Sequence, residues 1–286
     1  MVSIAELEAM FHANPLGEYQ CRANLNLYST PELAGLATQA VAGRQLRILA
    51  FDLPPTEDFA AIAPQSNLAL PVCLCEDDYP GWLAVEDVDL LDAADMPYRS
   101  IALSRTEIES RLPEVLTYAH QAMRQPNHYL WGGTVGANYD CSGLMQAAFL
   151  SAGIWLPRDS YQQADFTRPA LAQTWLDQVP EELPQTWLDA VEPGDLIFFG
   201  TPERINHVGL YLGDGRYLHS SGKDKGRNGI GIDVLSSNGD DVSRAYYALL
   251  RGAGRVMESY RATGTPMKPI SNMMMQTRME GRSPQR

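Results

Sequence analysis

The chain of 286 residues is short of cysteine, with four. None of them falls in a CxxC or other paired-ligand spacing, so no zinc site is expected. Long apolar runs are also missing. No stretch approaches the roughly 18 consecutive apolar residues that suggest a membrane span. Basic clusters are scarce too: 22 bases stand against 35 acids, a net charge of −13, and no basic face is available to track phosphates before the C-terminal segment. Nucleic acid is therefore not an expected partner. The opening residues, MVSIAELEAMFHANP, carry neither a basic n-region nor an apolar stretch of signal-peptide length. The expectation is a cytoplasmic protein with reduced thiols, no membrane partner, no cofactor and no metal. Cys73 and Cys75, two apart in VCLC, share one strand face and read as small apolar packing. Internal repeats are not detected.

Hydrophobic residues at 45% and charged residues at 20% are ordinary for a chain with a sizeable core, and the length allows two domains. Short strand-like runs follow an N-terminal helical segment: YQCRANLNLY (19–28), RQLRILAF (44–51), LPVCLC (70–75) and GWLAV (81–85). Turn residues separate them, which predicts a small all-β barrel or sandwich over 1–92, with a long loop at 50–64. Residues 93–111 read as a linker. A helix is predicted at 112–125, with Pro113 in its first turn and Leu112, Leu116, Ala119 and Met123 recurring at near-helical spacing. The second domain extends to 262, and the Met-, Pro- and Arg-rich 263–286 reads as a disordered tail.

The stretch YLWGGTVGANYDCSGL (129–144) places Asp140 as an N-cap and Cys141 in the first turn of a helix that stops at Gly153. Unpaired N–H groups and the helix dipole favour a thiolate there. The Asp140 carboxylate works against it unless occupied by capping or by a substrate amine. Two readings of Cys141 stand on this stretch: a small buried core residue, or a nucleophile.

A nucleophilic cysteine wants an imidazole to take its proton and a third group to orient that imidazole. Of five histidines, His12, His120 and His128 lie in or beside helical segments, whereas His207 and His219 flank a hairpin in HVGLYLGDGRYLHSS. A two-residue turn at Asp214-Gly215 puts the two rings on opposite faces. A three-residue turn, or a bulge with the same effect, sets His219 opposite Gly209 and both rings on one face. Leu196–Phe199 in VEPGDLIFFG and the run GIGIDVLS (229–236) complete a set of predicted strands.

DCSG after YLWGG, then PGDLIFF, then HVGLYLGDGRYLH, resemble in order the NlpC-type family of bacterial cell-wall cysteine peptidases, over about residues 112–250. The NLNLYSTPE to GWLAV region resembles a bacterial Src-homology-three-like barrel. The resemblance implies an α+β fold: a papain-like domain, with a Cys-bearing helix on an antiparallel sheet, preceded by the small barrel. It also implies a cysteine peptidase with Cys141 as nucleophile, His207 as base and His219 orienting that base. The whole arrangement looks like the γ-D-glutamyl-L-diamino-acid endopeptidases that act on murein peptides. The expected partner is a murein peptide, L-Ala-γ-D-Glu-diamino acid, with a free amine. The oxyanion would meet the Cys141 N–H and the Tyr129 hydroxyl. The expected substrate-binding set is Tyr79, Tyr129, Trp131, Asp140, Ser142, Asp159 and Ser160. Glu76, Asp77 and Asp78 in CEDDYPGW either face the substrate amine or form a solvated acidic turn. Arg158 either meets a substrate carboxylate or forms a surface ion pair. Two alternatives remain at this point: another thiol amidase or acyltransferase on the same fold, or a wall-peptide-binding protein whose Cys141 is inert.

Overall fold

The computed structural model describes residues 4–51, 68–170, 175–176 and 178–267. Most of the loop expected at 50–64, and the expected tail from 268 onward, lie outside the described residues. The chain divides into two compact units. One is made by the chain up to Ser100 together with the segment from Ala262; the other is Ile101–Arg261.

The first unit opens with α1 (Ile4–Ala13) and continues through β1 (Glu18–Cys21), β2 (Leu25–Tyr28), β3 (Leu36–Ala40), β4 (Gln45–Ile48), β5 (Ala69–Leu74), β6 (Pro80–Ala84) and β7 (Leu91–Ala93). Among the described residues these strands form one antiparallel sheet in the order β3-β2-β6-β5-β4-β1-β7. Period-two alternation explains the core: Leu25 and Leu27, Leu46 and Ile48, and Leu70 and Val72 all point inward. YQCRANLNLY is two strands, because the chain turns between Cys21 and Leu25.

Arg44 shares the inward phase of Leu46 and Ile48 and is likewise buried. Its guanidinium meets Glu76 (Nε to Oε2, 3.0 Å) and Asp77 (Nη2 to Oδ1, 2.8 Å). The turn Glu76–Asp78 is therefore neither solvated nor open to a substrate amine. It is buried because an internal arginine needs anions. Asp78 accepts from the backbone N–H and hydroxyl of Thr263 (2.6 and 3.1 Å) and from the N–H of Gly264 (3.0 Å). The Met267 N–H reaches the Asp78 carbonyl at 2.9 Å. The first residues of the segment read as a tail are thus fastened to this turn. Ala262 N–H also bonds Ser100 Oγ at 3.1 Å, so the chain leaves and re-enters this unit at neighbouring points.

The second unit begins with α2 (Arg105–Arg124), which starts within the segment read as a linker. Ser104 and Glu107 form a reciprocal capping box at its N-terminus. Pro113 lies inside this helix, not in its first turn. Its ring is on the exposed side, where water can satisfy the carbonyl that loses its N–H partner. After α2 come α3 (Cys141–Ser151), α4 (Ser160–Phe166), β8 (Arg168–Pro169), α5 (Gln185–Ala190), β9 (Leu196–Thr201), β10 (Arg204–Gly213), β11 (Arg216–Ser221), β12 (Gly229–Val234), α6 (Asp241–Tyr247) and β13 (Leu250–Arg255).

The strands form an antiparallel sheet in the order β12-β11-β10-β9-β13-β8. One face (Phe198, Val208, Leu210, Leu218) packs with Leu144, Ala148 and Phe149 of α3 and Val115 and Ala119 of α2. The other face (Phe199, Tyr211, Tyr217) packs with Val242 and Tyr246 of α6. A Cys-bearing helix lies on an antiparallel sheet, as the papain-like expectation requires.

Candidate active site

Cys141 is the first residue of α3, and its position is set by two local devices. Asp140 caps the helix by accepting from the Gly143 N–H at 2.6 Å, which fixes the direction of the first turn. Opposite this cap, the helix ends as expected: Gly153 has φ of 72°, and the Gly153 and Ile154 N–H groups bond the Leu150 and Phe149 carbonyls at 2.8 and 3.0 Å, a Schellman stop. The loop from Gly132 to Asp140 returns against the helix, with Asp140 N–H on the Gly133 carbonyl at 3.1 Å. That approach requires glycine at 143, where a Cβ would stand 2.0 Å from the Gly133 oxygen.

The sulfur of Cys141 takes N–H bonds from Val208 and Ser142, which favour the thiolate. Burial and the Asp140 charge work the other way and prevail, pushing the thiol up to about 12. Neither side chain of the expected pair is charged at rest. The His207 imidazole is driven well below its ordinary range, first by burial, then by His219 and Lys225.

The hairpin meets the register requirement through a bulge. Gly213 pairs with Arg216 across the two-residue loop Asp214-Gly215, and the register then shifts so that Tyr211 faces Tyr217 and Leu210 faces Leu218. One step further, His219 is opposite Gly209, and both histidines share a face. The space is tight: a Cβ on Gly209 would stand 2.7 Å from Tyr217 Cδ2 and 3.3 Å from His219 Cβ. His207 Nε2 lies 2.7 Å from His219 Nδ1, so Nδ1 is the ring nitrogen of His207 that this pair does not use.

The chain of polar contacts continues into residues the sequence reading did not include. His219 Nε2 lies 2.6 Å from Asp233 Oδ2 on β12. The Asp233 carboxylate is in turn gripped by Arg227, whose Nε donates to Oδ2 at 3.2 Å and whose Nη2 donates to Oδ1. Burial alone would raise the Asp233 carboxyl, yet His219 and Arg227 hold it below the ordinary range. The pair Asp233 and His219 are diagonal neighbours, since His219 pairs with Gly231. The signal in GIGIDV was the phase: Asp233 alternates with Gly229 and Gly231 on the buried face. Tyr246 of α6 completes the housing. Its ring stacks on His207 at 4.3 Å and meets His219 edge-on at 4.8 Å.

Of the other expected residues, Asp140 has both carboxylate oxygens engaged. Oδ2 accepts from Gly132 N–H at 2.9 Å and from Arg158 Nη2 at 2.6 Å. Oδ1 accepts from Gly143 N–H, from Ser142 Oγ at 3.3 Å and from Arg158 Nη1 at 3.1 Å. Capping, not an open amine site, occupies it. Arg158 is 1% exposed, so its ion pair is internal and not on the surface. It also donates to Ser142 Oγ at 3.0 Å. Tyr129 is half-buried, and its hydroxyl is held protonated by burial and by its proximity to Cys141 and Asp140. Trp131 is 62% exposed. Asp159 and Ser160 begin α4, Asp159 as its cap with Gln162 in a capping box. Tyr79 belongs to the first unit, on the turn into β6, and is buried beside Ala37. Among the described residues no group of three or more His, Cys, Asp or Glu is gathered as metal ligands.

Comparison with known proteins identifies both units. The bacterial dipeptidyl-peptidase Sh3 domain model matches residues 27–88. The NlpC/P60 family model matches residues 126–279, more than half of the chain. The gamma-D-glutamyl-L-lysine dipeptidyl-peptidase of Bacillus subtilis is 37% identical over 111 residues, covering 38% of this chain and 30% of that protein. The bifunctional muramidase/DL-endopeptidase CwlT of the same organism is 30% identical over 152 residues, 49% of this chain and 40% of that protein. The matches thus span less than half the length of these curated relatives. Among solved structures, the peptidoglycan hydrolase RipB of Mycobacterium tuberculosis is 26% identical with a TM-score of 0.38, covering 54% of this chain and 69% of that one. The family model spans the second unit, with its cysteine at a helix start and paired histidines on its sheet: the chain belongs to the NlpC/P60 family.

Proposed function

We propose that the chain is a cysteine endopeptidase that hydrolyses the γ-D-glutamyl-L-diamino-acid amide bond of murein peptides carrying a free N-terminal L-Ala. The observation that carries the reading is the buried thiol of Cys141 at the start of α3, bonded by the Val208 N–H of the same strand, β10, that carries His207, which is itself paired with His219. Two relatives named gamma-D-glutamyl-L-lysine dipeptidyl-peptidases support the bond class, at 37% identity in each case.

In this mechanism the Cys141 S–H bond breaks as sulfur attacks the γ-carbonyl carbon, and the proton passes to His207 Nδ1. The tetrahedral oxyanion is held by the Cys141 N–H and the Tyr129 hydroxyl. His207 then returns the proton to the leaving amine of the diamino acid as the C–N bond breaks. Water, deprotonated by the same imidazole, hydrolyses the thioester and restores the thiol. With Asp140 spent on its cap and on Arg158, this reading assigns the substrate amine to Asp159 and Ser160 at the start of α4. Requirement for a free amine confines the enzyme to trimmed fragments, which fits recycling of wall peptides in the cytoplasm.

The test compares L-Ala-γ-D-Glu-diaminopimelate with the same peptide acetylated at its N-terminus, for the native protein and Cys141→Ala, by product mass. Cleavage of the free peptide alone, lost in the variant, is expected. Equal cleavage of both peptides would remove the amine requirement. Cleavage of neither would remove the endopeptidase assignment in favour of another amidase or a binding role.

A further inference from the structure

The bonds linking His207, His219 and Asp233 have a direction as well as a length, and that direction decides whether His207 can act as a base. A neutral imidazole has one N–H and one lone pair, so two linked rings can be polarised either way. In one arrangement the outward nitrogen of His207 carries a lone pair; in the other it carries a proton and cannot accept one from a thiol.

We propose that Asp233, clamped by Arg227, is a positioning residue that fixes the polarity of the histidine pair and so leaves the Nδ1 lone pair of His207 for Cys141. An ionised carboxylate only accepts. His219 Nε2, 2.6 Å from Asp233 Oδ2, must therefore carry the proton. Its Nδ1 then accepts, and the partner 2.7 Å away, His207 Nε2, must donate. His207 Nδ1 is left unprotonated.

Arg227 locks the far end of the chain. A guanidinium has only donors, and Arg227 donates to both Asp233 oxygens, so neither oxygen can be replaced by an N–H without a clash of donors. Gly231 makes room for this clamp: a Cβ there would stand 2.2 Å from Arg227 Nη1. The spacing of Gly231 and Asp233 on β12 thus builds a seat for the arginine and, two residues on, its anion. The same carboxylate faces the positive charge that the pair gains when the thiol proton arrives.

The inference rests on the peptidase reading for its purpose, but its first test needs no substrate, so the two fail separately. In a long-range ¹H–¹⁵N spectrum of the ¹⁵N-labelled full chain at about pH 8, where imidazoles of ordinary pKa are neutral, His207 and His219 are both expected as Nε2–H tautomers. An Nδ1–H signal for His207 overturns the proposal, whatever any variant does.

Asp233→Asn supplies the functional test. Arg227 keeps its shorter bond, from Nη2, to the amide oxygen and gives up the longer one from Nε, so the amide N–H₂ takes the place of Oδ2, turns to His219, and the polarity of the pair reverses. The expected result is loss of kcat on the order of 10²- to 10⁴-fold with KM unchanged and His207 now protonated at Nδ1. Adding Arg227→Met to Asp233→Asn frees the amide to turn its oxygen to His219, so kcat should recover at least about tenfold over the single variant, part of the roughly 10²- to 10⁴-fold that general-base catalysis supplies. A purely structural role predicts instead that the double variant is no better than Asp233→Asn, and that result would overturn the assignment.

Discussion

Replacing Arg158 with methionine removes a buried cation while keeping most of its stem. In the native protein its guanidinium makes bonds of 3.1 and 2.6 Å to Asp140 and 3.0 Å to Ser142. Removing one partner of a buried pair leaves an uncompensated charge and costs about 3–5 kcal/mol. Asp140 keeps the N–H groups of Gly132 and Gly143, which places the expected cost at the lower end, about 3 kcal/mol. For a unit of this size that is a fall of about 6–12 °C in the melting transition of the second unit, read by calorimetry of the full chain. Asp140→Asn removes the anion that suffers, so the double variant should be little worse than Arg158→Met alone. A coupling of about 2 kcal/mol follows. Costs that add to within about 0.5 kcal/mol would refute the argument, because independent sites behave that way.

Other outcomes follow from the same geometry. Gly209→Ala should cost about 1–3 kcal/mol through overpacking, and should lower kcat, because the new methyl group presses on Tyr217 and the His219 Cβ; unchanged stability in urea titration would contradict the hairpin register. Alkylation of Cys141 by iodoacetamide should rise roughly tenfold per pH unit between about pH 7 and 10. The thiol is raised to about 12, so the reactive thiolate is a small fraction that grows with each unit. His207 is lowered, so no imidazolium is present to hold a thiolate at lower pH. A flat rate from about pH 5 to 8 would instead reveal a preformed ion pair.

Much of the site is legible where local chemistry decides it. Asp140 before Cys141 is a helix start under any tertiary arrangement, and Gly153 is a helix stop. The hairpin was readable to within its alternatives: the face shared by His207 and His219 follows from residue parity, but whether parity is corrected by loop length or by a bulge is decided by packing. Long-range charge pairing was harder. Arg44 and the Glu76–Asp78 turn look solvated in sequence, and only the inward phase of Arg44 with Leu46 and Ile48 betrays the buried network. Asp233 carried the same kind of phase signal, in step with two glycines. Pro113 misled the reading of α2, since proline is common in first turns and tolerated at an exposed interior position. The Ser104–Glu107 capping box was the better guide. The helix dipole at Cys141 is real, but burial and Asp140 outweigh it, and burial is a tertiary property.

The clasp between Asp78 and Thr263–Gly264 has a consequence for how the polypeptide is made. A ribosome releases the strands of the first unit long before it supplies the Thr263 and Gly264 donors that Asp78 accepts from, and the whole of Ile101–Arg261 is synthesised in between. The second unit is an insertion within the first, and the order of birth is inverted relative to the order of completion. A nascent chain halted anywhere before Thr263 leaves the Asp78 turn without these donors. The clasp therefore cannot form until translation has passed through the whole of the second unit.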